Sequence, residues 1–309
     1  MRVFRSLERA RAAFSRPIVT IGNFDGVHRG HQVILDEVRD DADKRGVDAV
    51  ALTFEPHPTV VLRPEAAPRL LMQLGDRLAA LAACRVDATV VQRFTREFAA
   101  IEADDFIRRF LVDILEAQRL VVGHDLNFGR GRKGTVEVLV EAGERYGFDV
   151  EVIRPVLVDD MVVHSTVVRE AVARGDVRLA ALLLGRPHVV RGRVVRGQGR
   201  GRAIGFATAN IRPKTQLCPP DGVYASRAVI DRREIDGVTS IGKTPTFGGD
   251  ETVIETHLFI GSEDFYSKTV SLEFVDRLRD QRKFDGPEDL AAQIARDVEQ
   301  TKVVLAQKS

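Results

Sequence analysis

The first half of the chain alternates between short apolar runs and longer segments that carry one apolar stripe. The runs 18–21 and 120–123 contain almost no polar residue, which predicts strands that are buried on both faces. Between them, Ile34 and Val38 lie one helical turn apart, as on a helix with one buried side. The other predicted strands are 47–54, 88–91 and 148–156, and the other predicted helices are 68–85, 103–116 and 135–146. Strands that alternate with helices predict an α/β unit with a mostly parallel, doubly wound sheet.

The pattern changes near residue 185. From there to about residue 279, short runs with strand character are separated by Gly, Pro and Asp. They predict strands at 188–196, 222–230, 238–242, 252–260 and 269–278. Several short strands without a long helix between them predict a small antiparallel β-barrel. The segment 287–304 then repeats apolar residues at helical spacing, which predicts one terminal helix. We therefore expect two domains, 1–184 and 185–309.

Composition and charge narrow the class of protein. The chain has 309 residues, and 46 Lys and Arg against 45 Asp and Glu give a net charge of +1. This balance argues against a protein that binds nucleic acid or an anionic membrane, because such proteins carry a clear basic excess. Cys84 and Cys218 are too few for a disulfide framework, and no apolar run approaches the length of a membrane span. We expect a cytoplasmic protein with neither nucleic acid nor membrane among its partners.

Two histidines lie where the first predicted strand passes into the first predicted helix. His28 and His31 end a turn that also contains Gly22, Gly26 and Gly30. The N-terminus of a helix attracts phosphate, and glycines let a phosphate chain approach the backbone closely. Imidazoles can add hydrogen bonds to phosphoryl oxygens that gain charge during transfer. The turn has the form of the H-x-G-H signature of nucleotidyltransferases, which move an adenylyl or cytidylyl group and release pyrophosphate.

Two other interpretations of these histidines stay open. They could be zinc ligands, although a zinc site needs three or four ligands and the remaining Cys and His residues are few and scattered. They could also be core histidines whose hydrogen bonds are satisfied internally. Phosphate binding is the favoured interpretation, because glycines and a helix start accompany the two imidazoles.

Further polar segments follow other predicted strands. The segments 55–58 and 123–134 come directly after strands, and the carboxyl ends of parallel strands share one edge of a sheet. We therefore expect them to lie near the His28 turn. Ser165 and Thr166 open another predicted helix, and Arg169 follows one turn later, in reach of a phosphate. By themselves, these residues favour a structural interpretation, in which Ser165 is a plain helix cap and Arg169 forms a surface ion pair.

Two motifs in the second half suggest functions that their context does not favour. The segment 237–244 matches the P-loop pattern G-x-x-x-x-G-K-[ST], but Pro245 follows it where a P-loop needs a helix. The match is therefore interpreted as accidental. The segment 191–202 carries five arginines among glycines, which could indicate RNA binding, yet no aromatic residue lies nearby for a base to stack on. A loop that wraps phosphates through its backbone N–H groups fits this composition better.

Taken together, these motifs resemble the bacterial bifunctional riboflavin kinase/FAD synthetases, which combine a riboflavin kinase with an FMN adenylyltransferase. The resemblance covers essentially the whole chain. In the first half it rests on the segments 22–31, 54–58 and 122–129 and on Ser165, Thr166 and Arg169. In the second half it rests on the segments 197–202, 204–210, 221–224, 245–247, 254–257 and 278–284. The resemblance implies a Rossmann-like nucleotidyltransferase domain followed by a small antiparallel β-barrel.

For the first domain, the resemblance implies transfer of AMP from ATP to FMN with release of pyrophosphate. His28 and His31 would be the catalytic residues, acting through charge stabilisation. The implied ATP- and phosphate-binding residues are Gly22, Phe24, Asp25, Gly26, Ser165, Thr166 and Arg169. The implied flavin-binding residues are His57, Pro58, Asp125 and Asn127.

For the second domain, the resemblance implies phosphorylation of riboflavin by ATP. Glu255 would act as general base on the ribityl 5′-hydroxyl, with Asn210 as a further catalytic residue. Thr208 and Asn210 would hold Mg²⁺, and Thr208 would also contact ATP. The implied phosphate-covering loop contains Gly197, Gly199 and Gly201.

The implied partners are riboflavin, FMN, FAD, ATP, ADP and pyrophosphate, and a weak homo-oligomer is compatible with the pattern. The chain departs from the family where Ala207 replaces a usual proline, His164 replaces the first of two serines, Gln281 replaces an acidic residue and Ser267 replaces a glycine. Two alternative functions therefore stay open. One is a paralogue that retains a single activity, and the other is a flavin or nucleotide sensor without turnover.

Overall fold

The computed structural model describes residues 1–197, 205–214, 216–246, 249–260 and 263–307, without the side chains of 243–246 and 249–251. The chain divides into two compact units. The first comprises residues 1–68 and 73–164, and the second comprises 69–72 and 165–309. Contacts thus divide the chain at residue 165 rather than 185. The predicted domain boundary at 185 stays a prediction.

The first unit is built from strands and helices that alternate along the chain. Its strands are β1 (Arg2–Phe4), β2 (Ile18–Ile21), β3 (Ala49–Glu55), β4 (Ala88–Arg93), β5 (Arg119–Gly123) and β6 (Asp149–Ile153), followed by the hairpin β7 (Leu157–Val158) and β8 (Met161–Val162). Its helices are α1 (Leu7–Ala10), α2 (Arg29–Arg45), α3 (Pro58–Leu62), α4 (Leu74–Ala83), α5 (Arg96–Ala99), α6 (Ala103–Phe106), which continues as a π-helix (Ile107–Val112), and α7 (Val136–Tyr146). Short 3₁₀ turns occur at Pro64–Ala66 and Arg130–Arg132.

The six larger strands form one parallel sheet in the order β1-β4-β3-β2-β5-β6. The predicted doubly wound parallel sheet is therefore confirmed, with β1 as a strand that the sequence pattern did not predict. From β2, the order runs one way through β3 and β4 and the other way through β5 and β6. Sheets of this kind bind ligands at the carboxyl ends of the strands on either side of such a reversal. That position belongs to the loops after β2 and β5.

The sheet is covered on both faces, as the apolar strands predict. All four residues of β2 are buried. Val19 and Ile21 join a core cluster with Phe106 and Phe110, whereas α2 contacts β2, β3 and β5. The helix α2 ends at Gly46, whose left-handed φ of 67° is easy for glycine alone. At its other end, α2 begins shortly after β2, at the carboxyl edge of the sheet.

In its described residues, the second unit contains two helices, a barrel and a terminal helix. The helices α8 (Ser165–Arg174) and α9 (Val177–Leu184) precede the strands β9 (His188–Val195), β10 (Ala209–Pro213), β11 (Gly222–Ile230), β12 (Arg233–Thr246), β13 (Gly249–Leu258) and β14 (Thr269–Arg279), and α10 (Pro287–Ala306) ends the unit. The strands close into an antiparallel barrel in the order β10-β13-β12-β11-β14-β9. The predicted barrel and terminal helix are confirmed. The P-loop match lies within the single strand β12, which confirms that it is accidental.

Alternation along the barrel strands separates an inner face from an outer face. Ile254 and Thr256 are fully buried inside the barrel, so Glu255 between them points outwards and is half-buried. On the outside, α10 is held by Asp297, which is 3% exposed and pairs with Arg279 at 2.6 Å. Glu255 and α10 therefore both belong to the outer side of the barrel.

Candidate active sites

The turn after β2 carries the two histidines in a strained backbone. Phe24, Gly26 and Val27 have φ values of 50°, 89° and 39°. A left-handed φ is easy for glycine, but for the other two residues it costs of order 1 kcal/mol or more each. Strain of this kind is concentrated at functional sites, where the surrounding structure enforces it. The conformation brings His28 to the start of α2.

His28 caps α2 with its own ring. Its Nδ1 accepts a hydrogen bond from the backbone N–H of His31 at 3.3 Å. Because Nδ1 is the acceptor, we assign the proton of the neutral ring to Nε2, which is then a donor. The rings of His28 and His31 stack 3.6 Å apart at an angle of 17°. A Cβ at Gly30 would lie 3.2 Å from the His28 ring, so glycine gives the ring the room to lie against the backbone.

His57 repeats the same arrangement at the carboxyl end of β3. Its Nδ1 accepts a hydrogen bond from the N–H of Thr59 at 3.3 Å, at the start of α3, where Pro58 is the first residue. Its Nε2 is therefore also assigned as a donor. His57 is 8% exposed and His28 is 5% exposed. Two imidazole donors thus follow the neighbouring strands β2 and β3.

The structure adds a residue that the sequence analysis missed, Arg77 on α4. Its side chain is 3% exposed and pairs with Glu55 at 2.6 Å. It also donates hydrogen bonds to the backbone carbonyls of Asn23 and Phe54, both at 3.0 Å. Burial lowers the pKa of Arg77, and the charge of Glu55 opposes this shift. The sequence contained one signal that Arg77 is buried, because it lies four residues before the apolar Leu81 and therefore on the same face of the helix.

The loop after β5 carries Asp125 and Asn127, which are both exposed. The Asn127 amide donates to the Asp125 carbonyl at 2.8 Å, which makes the loop compact. Asp125 also lies 3.8 Å from Nδ1 of His164. Ser165, Thr166 and Arg169 follow His164 in α8, which belongs to the second unit. Their predicted phosphate-binding roles, and the flavin-binding roles of the loop residues, stay predictions.

The second constellation lies on the outer face of the barrel. Asn210 on β10 stands opposite Glu255 on β13, and Glu255 stands opposite Ser240 on β12. Side chains opposite one another on neighbouring strands have Cβ atoms about 5 Å apart. Gln281 donates hydrogen bonds to the Ser240 hydroxyl at 2.7 Å and to the Ile241 carbonyl at 2.9 Å. The row therefore places a carboxylate between an amide and a hydroxyl.

Two observations concern the segment that leads into this row. His257 lies on β13, on the same outer face as Glu255. Its Nδ1 donates a hydrogen bond to the carbonyl of Ala207 at 2.9 Å, which ties the residue before Thr208 to β13. A Cβ at Gly197 would lie 2.0 Å from the amide nitrogen of Asn210, so the Asn210 side chain occupies the space that this glycine leaves. Gly199 and Gly201 lie outside the described residues. The structure thus brings Gly197, Asn210 and Glu255 together and places Thr208 just before β10.

Comparisons with known proteins agree with this division. A family model described as FAD synthetase matches residues 11–167, and one described as riboflavin kinase matches residues 184–305. Similar full-length proteins are named bifunctional riboflavin kinase/FMN adenylyltransferase. One from Haemophilus influenzae is 41% identical over 98% of both chains, and one from Escherichia coli K12 is 39% identical over 91% of this chain and 90% of its own length. A relative with the same name from Bacillus subtilis is 32% identical over 92% of this chain and 90% of its own length.

A solved structure shows that the fold is shared as well. A crystal structure from Streptococcus pneumoniae, described as a macrolide-efflux protein, aligns with a TM-score of 0.89 and 32% identity, and covers 97% of this chain and 98% of its own. Within the described part of this chain, none of the helices has the length and apolar character that crossing a membrane requires. Because both family models match in order and full-length relatives exceed 30% identity, the chain belongs to the bifunctional riboflavin kinase/FMN adenylyltransferase family.

Proposed function

We propose that this protein converts riboflavin to FMN at the barrel unit and FMN to FAD at the α/β unit, and consumes one ATP in each step. The observation that carries the proposal is that two different constellations occupy two different units. One has imidazoles at helix starts beside a parallel sheet, and the other has a carboxylate beside an amide on a barrel wall. Riboflavin, FMN, FAD, ATP, ADP and pyrophosphate are then its small-molecule partners, and a cytoplasmic location fits ATP as co-substrate of both steps.

Adenylyl transfer needs positioning and charge stabilisation more than covalent chemistry. A phosphate oxygen of FMN attacks the α-phosphorus of ATP, a new P–O bond forms, and the bond to the bridging oxygen breaks, so that pyrophosphate leaves with the electron pair. The Nε2–H of His28 and the N-terminal end of α2 supply positive potential where the phosphoryl oxygens gain charge. His57 offers a second donor to an anionic group at the end of β3. These donors are fixed in place by the capping hydrogen bonds before substrate binds.

Phosphoryl transfer to riboflavin needs a base and a neutralised phosphate. Glu255 accepts the proton of the ribityl 5′-hydroxyl while its oxygen attacks the γ-phosphorus, and ADP leaves with the electron pair of the broken bond. Asn210 and Thr208 offer neutral oxygens, which suit a hard cation such as Mg²⁺, and the glycine at 197 leaves room for the Asn210 side chain. When bound, Mg²⁺ would neutralise the phosphate charge.

A Gly197→Ala substitution tests this part of the proposal. We expect the rate of riboflavin phosphorylation and the apparent Mg²⁺ affinity to fall about 10-fold, because the new Cβ displaces Asn210. Gly286→Ala is the matched control, since a Cβ there meets nothing within 4 Å. Mg²⁺ titrations of the kinase rate measure both effects. Unchanged Mg²⁺ dependence in Gly197→Ala would contradict a role of Asn210 in metal binding.

The whole function is tested by one time course. Protein, riboflavin, ATP and Mg²⁺ are incubated, and the flavins are separated by chromatography. We expect FMN to appear first and FAD to follow, with one ADP formed for each riboflavin phosphorylated and one pyrophosphate for each FAD. FMN that accumulates without FAD would support the single-activity paralogue. Riboflavin and ATP that stay unchanged, despite measurable flavin binding, would support the sensor.

A further inference from the structure

We propose that Arg77 is a positioning residue for adenylyl transfer, which fixes the turn that carries His28 relative to the loop that carries His57. The inference rests on the proposed function, because it assigns Arg77 to that reaction. The Arg77 side chain is 3% exposed, and both of its terminal nitrogens donate to acceptors of the protein itself. Its effect must therefore pass through the two loops.

The loops need such a link because the sheet stops supporting them. The register of β2 and β3 ends at the pair Ile21 and Leu52, and the N–H of Gly22 makes one more bond to the Leu52 carbonyl at 3.0 Å. Beyond that point, the segment after β2 enters the strained turn, whereas β3 continues to Glu55 and pairs with β4. No ladder hydrogen bond joins the described residues 23–28 to the end of β3.

Two side chains provide the connection instead. The Thr53 hydroxyl donates to the Asn23 carbonyl at 3.2 Å, and Nη1 of Arg77 donates to the same carbonyl at 3.0 Å. Nη2 of Arg77 donates to the Phe54 carbonyl at 3.0 Å and to the Glu55 carboxylate at 2.6 Å. One guanidinium therefore binds the backbone of both loops at the carboxyl edge of the sheet.

Charge adds a third constraint on the turn. Asp25 is 2% exposed, and its charge attracts the buried guanidinium, as does that of Glu55. An arginine is suited to this place because its planar fork reaches several acceptors at fixed angles, whereas a lysine ammonium is a point charge on a flexible stem. Arg77 thus holds the strained turn by hydrogen bonds and by attraction to Asp25.

The chemical consequence follows from the geometry of in-line attack. In the proposed reaction, the His28 turn binds the nucleotide and the His57 loop binds the flavin side. A shift of one loop against the other leaves each binding surface intact but misaligns the attacking oxygen and the α-phosphorus. A misplacement of about 1 Å can cost about 100-fold in rate. A positioning defect should therefore appear in kcat rather than in KM.

The experiment is an Arg77→Lys substitution in the full-length protein. We expect kcat for adenylylation of supplied FMN to fall between about 10- and 100-fold, while KM for ATP and for FMN changes less than about 3-fold. Riboflavin phosphorylation by the same sample should keep its parental rate, and a thermal midpoint close to that of the parent reports that the unit carrying Arg77 is folded. A parental kcat, or a rise in KM at constant kcat, would overturn the inference.

A second variant keeps the test decisive if Arg77→Lys also loses phosphorylation. Thr53→Val removes the other donor to the Asn23 carbonyl at nearly constant volume, and we expect a smaller fall in kcat, about 3- to 10-fold, again without a KM change. In the double variant the losses should not multiply, because both residues act on one carbonyl. Losses that multiply fully would mean that the two side chains do not share this role.

Arg39→Lys is the matched control. Arg39 is another buried arginine of the first unit, but it pairs with Asp43 and Asp87 next to the amino end of β4. Its substitution should lower thermal stability without a split between kcat and KM. If Arg39→Lys shows the same selective loss of kcat, general destabilisation explains the effect of Arg77→Lys and the inference is overturned.

A parent protein that does not adenylylate FMN would contradict the proposed function itself. That result differs from a parental kcat in Arg77→Lys and Thr53→Val, which would overturn only the role of Arg77.

Discussion

Replacing His28 by alanine is expected to lower kcat for FMN adenylylation about 1000-fold, while riboflavin phosphorylation continues at the parental rate. In the proposed reaction, the substitution removes the Nε2–H donor of His28, which would face the phosphoryl oxygens that gain charge. It leaves the second unit, which carries Glu255 and Asn210, unchanged. The measurement is a pair of assays on one sample, FMN to FAD and riboflavin to FMN, each with saturating ATP.

The control separates the chemistry of His28 from its structural role. His28 also caps α2, so alanine should cost about 1 kcal/mol of stability as well. His28→Asn restores an acceptor at the cap without an imidazole. We expect it to recover the thermal midpoint but not the adenylylation rate. Recovery of the rate by asparagine would mean that capping alone explains the loss, and equal loss of both activities would contradict two separate sites.

Glu255→Gln should have the mirror-image effect. Without the carboxylate, nothing at this position accepts the proton of the attacking hydroxyl, so kcat for riboflavin phosphorylation should fall about 1000-fold. Adenylylation of supplied FMN should be unaffected. When riboflavin is the only flavin supplied, FAD formation should fail as well, because its FMN is missing. Normal phosphorylation by this variant would refute the assignment of Glu255 as the base.

Glu273→Gln is the matched control for that loss. Glu273 is also a half-buried carboxylate on the barrel, and burial raises its pKa, but it stands opposite Arg227 on β11 rather than Asn210. Removing its charge should leave both activities within about twofold of the parent, as for surface changes away from a site. A large loss of phosphorylation in this variant would show that any outer-face carboxylate matters to the barrel.

The sequence predicts most of the fold because hydrophobic periodicity is strong in both halves. It misses β10 for a physical reason. The strand Ala209–Pro213 has only two residues that face the core, Ala209 and Ile211, with Asn210 and Arg212 outside and a proline at its end. It also misses β1, a strand of three residues with little burial. Such short strands gain their pairing from neighbours that are distant in sequence, and local pattern does not report those neighbours.

The candidate sites are predictable to different degrees. The positions of His28 and His57 follow from where strands end, and the structure confirms that both come directly after neighbouring strands. The sequence does not predict the helix that begins beside His57, because prolines at 56 and 58 indicate an end to regular structure. Their capping bonds and the resulting proton positions depend on ring orientation, which only coordinates give. The role of Arg77 cannot be predicted from the sequence for a different reason. Two of its acceptors are backbone carbonyls, which every residue type has, so no sequence motif marks them. A charged residue on a helix is otherwise expected at the surface.

The continuous wall of the second unit has a consequence for how two catalysts can share one polypeptide. Each of its six strands has a hydrogen-bonded neighbour on both sides, so the finished wall offers no rim to an incoming strand. The parallel sheet, in contrast, ends at β1 and β6, and an unpaired rim can template mispairing with another chain. Once closed, the later-synthesised unit cannot exchange strands with the one that emerges before it. In the folded protein, the two activities can therefore be carried in tandem without their sheets competing for strand partners.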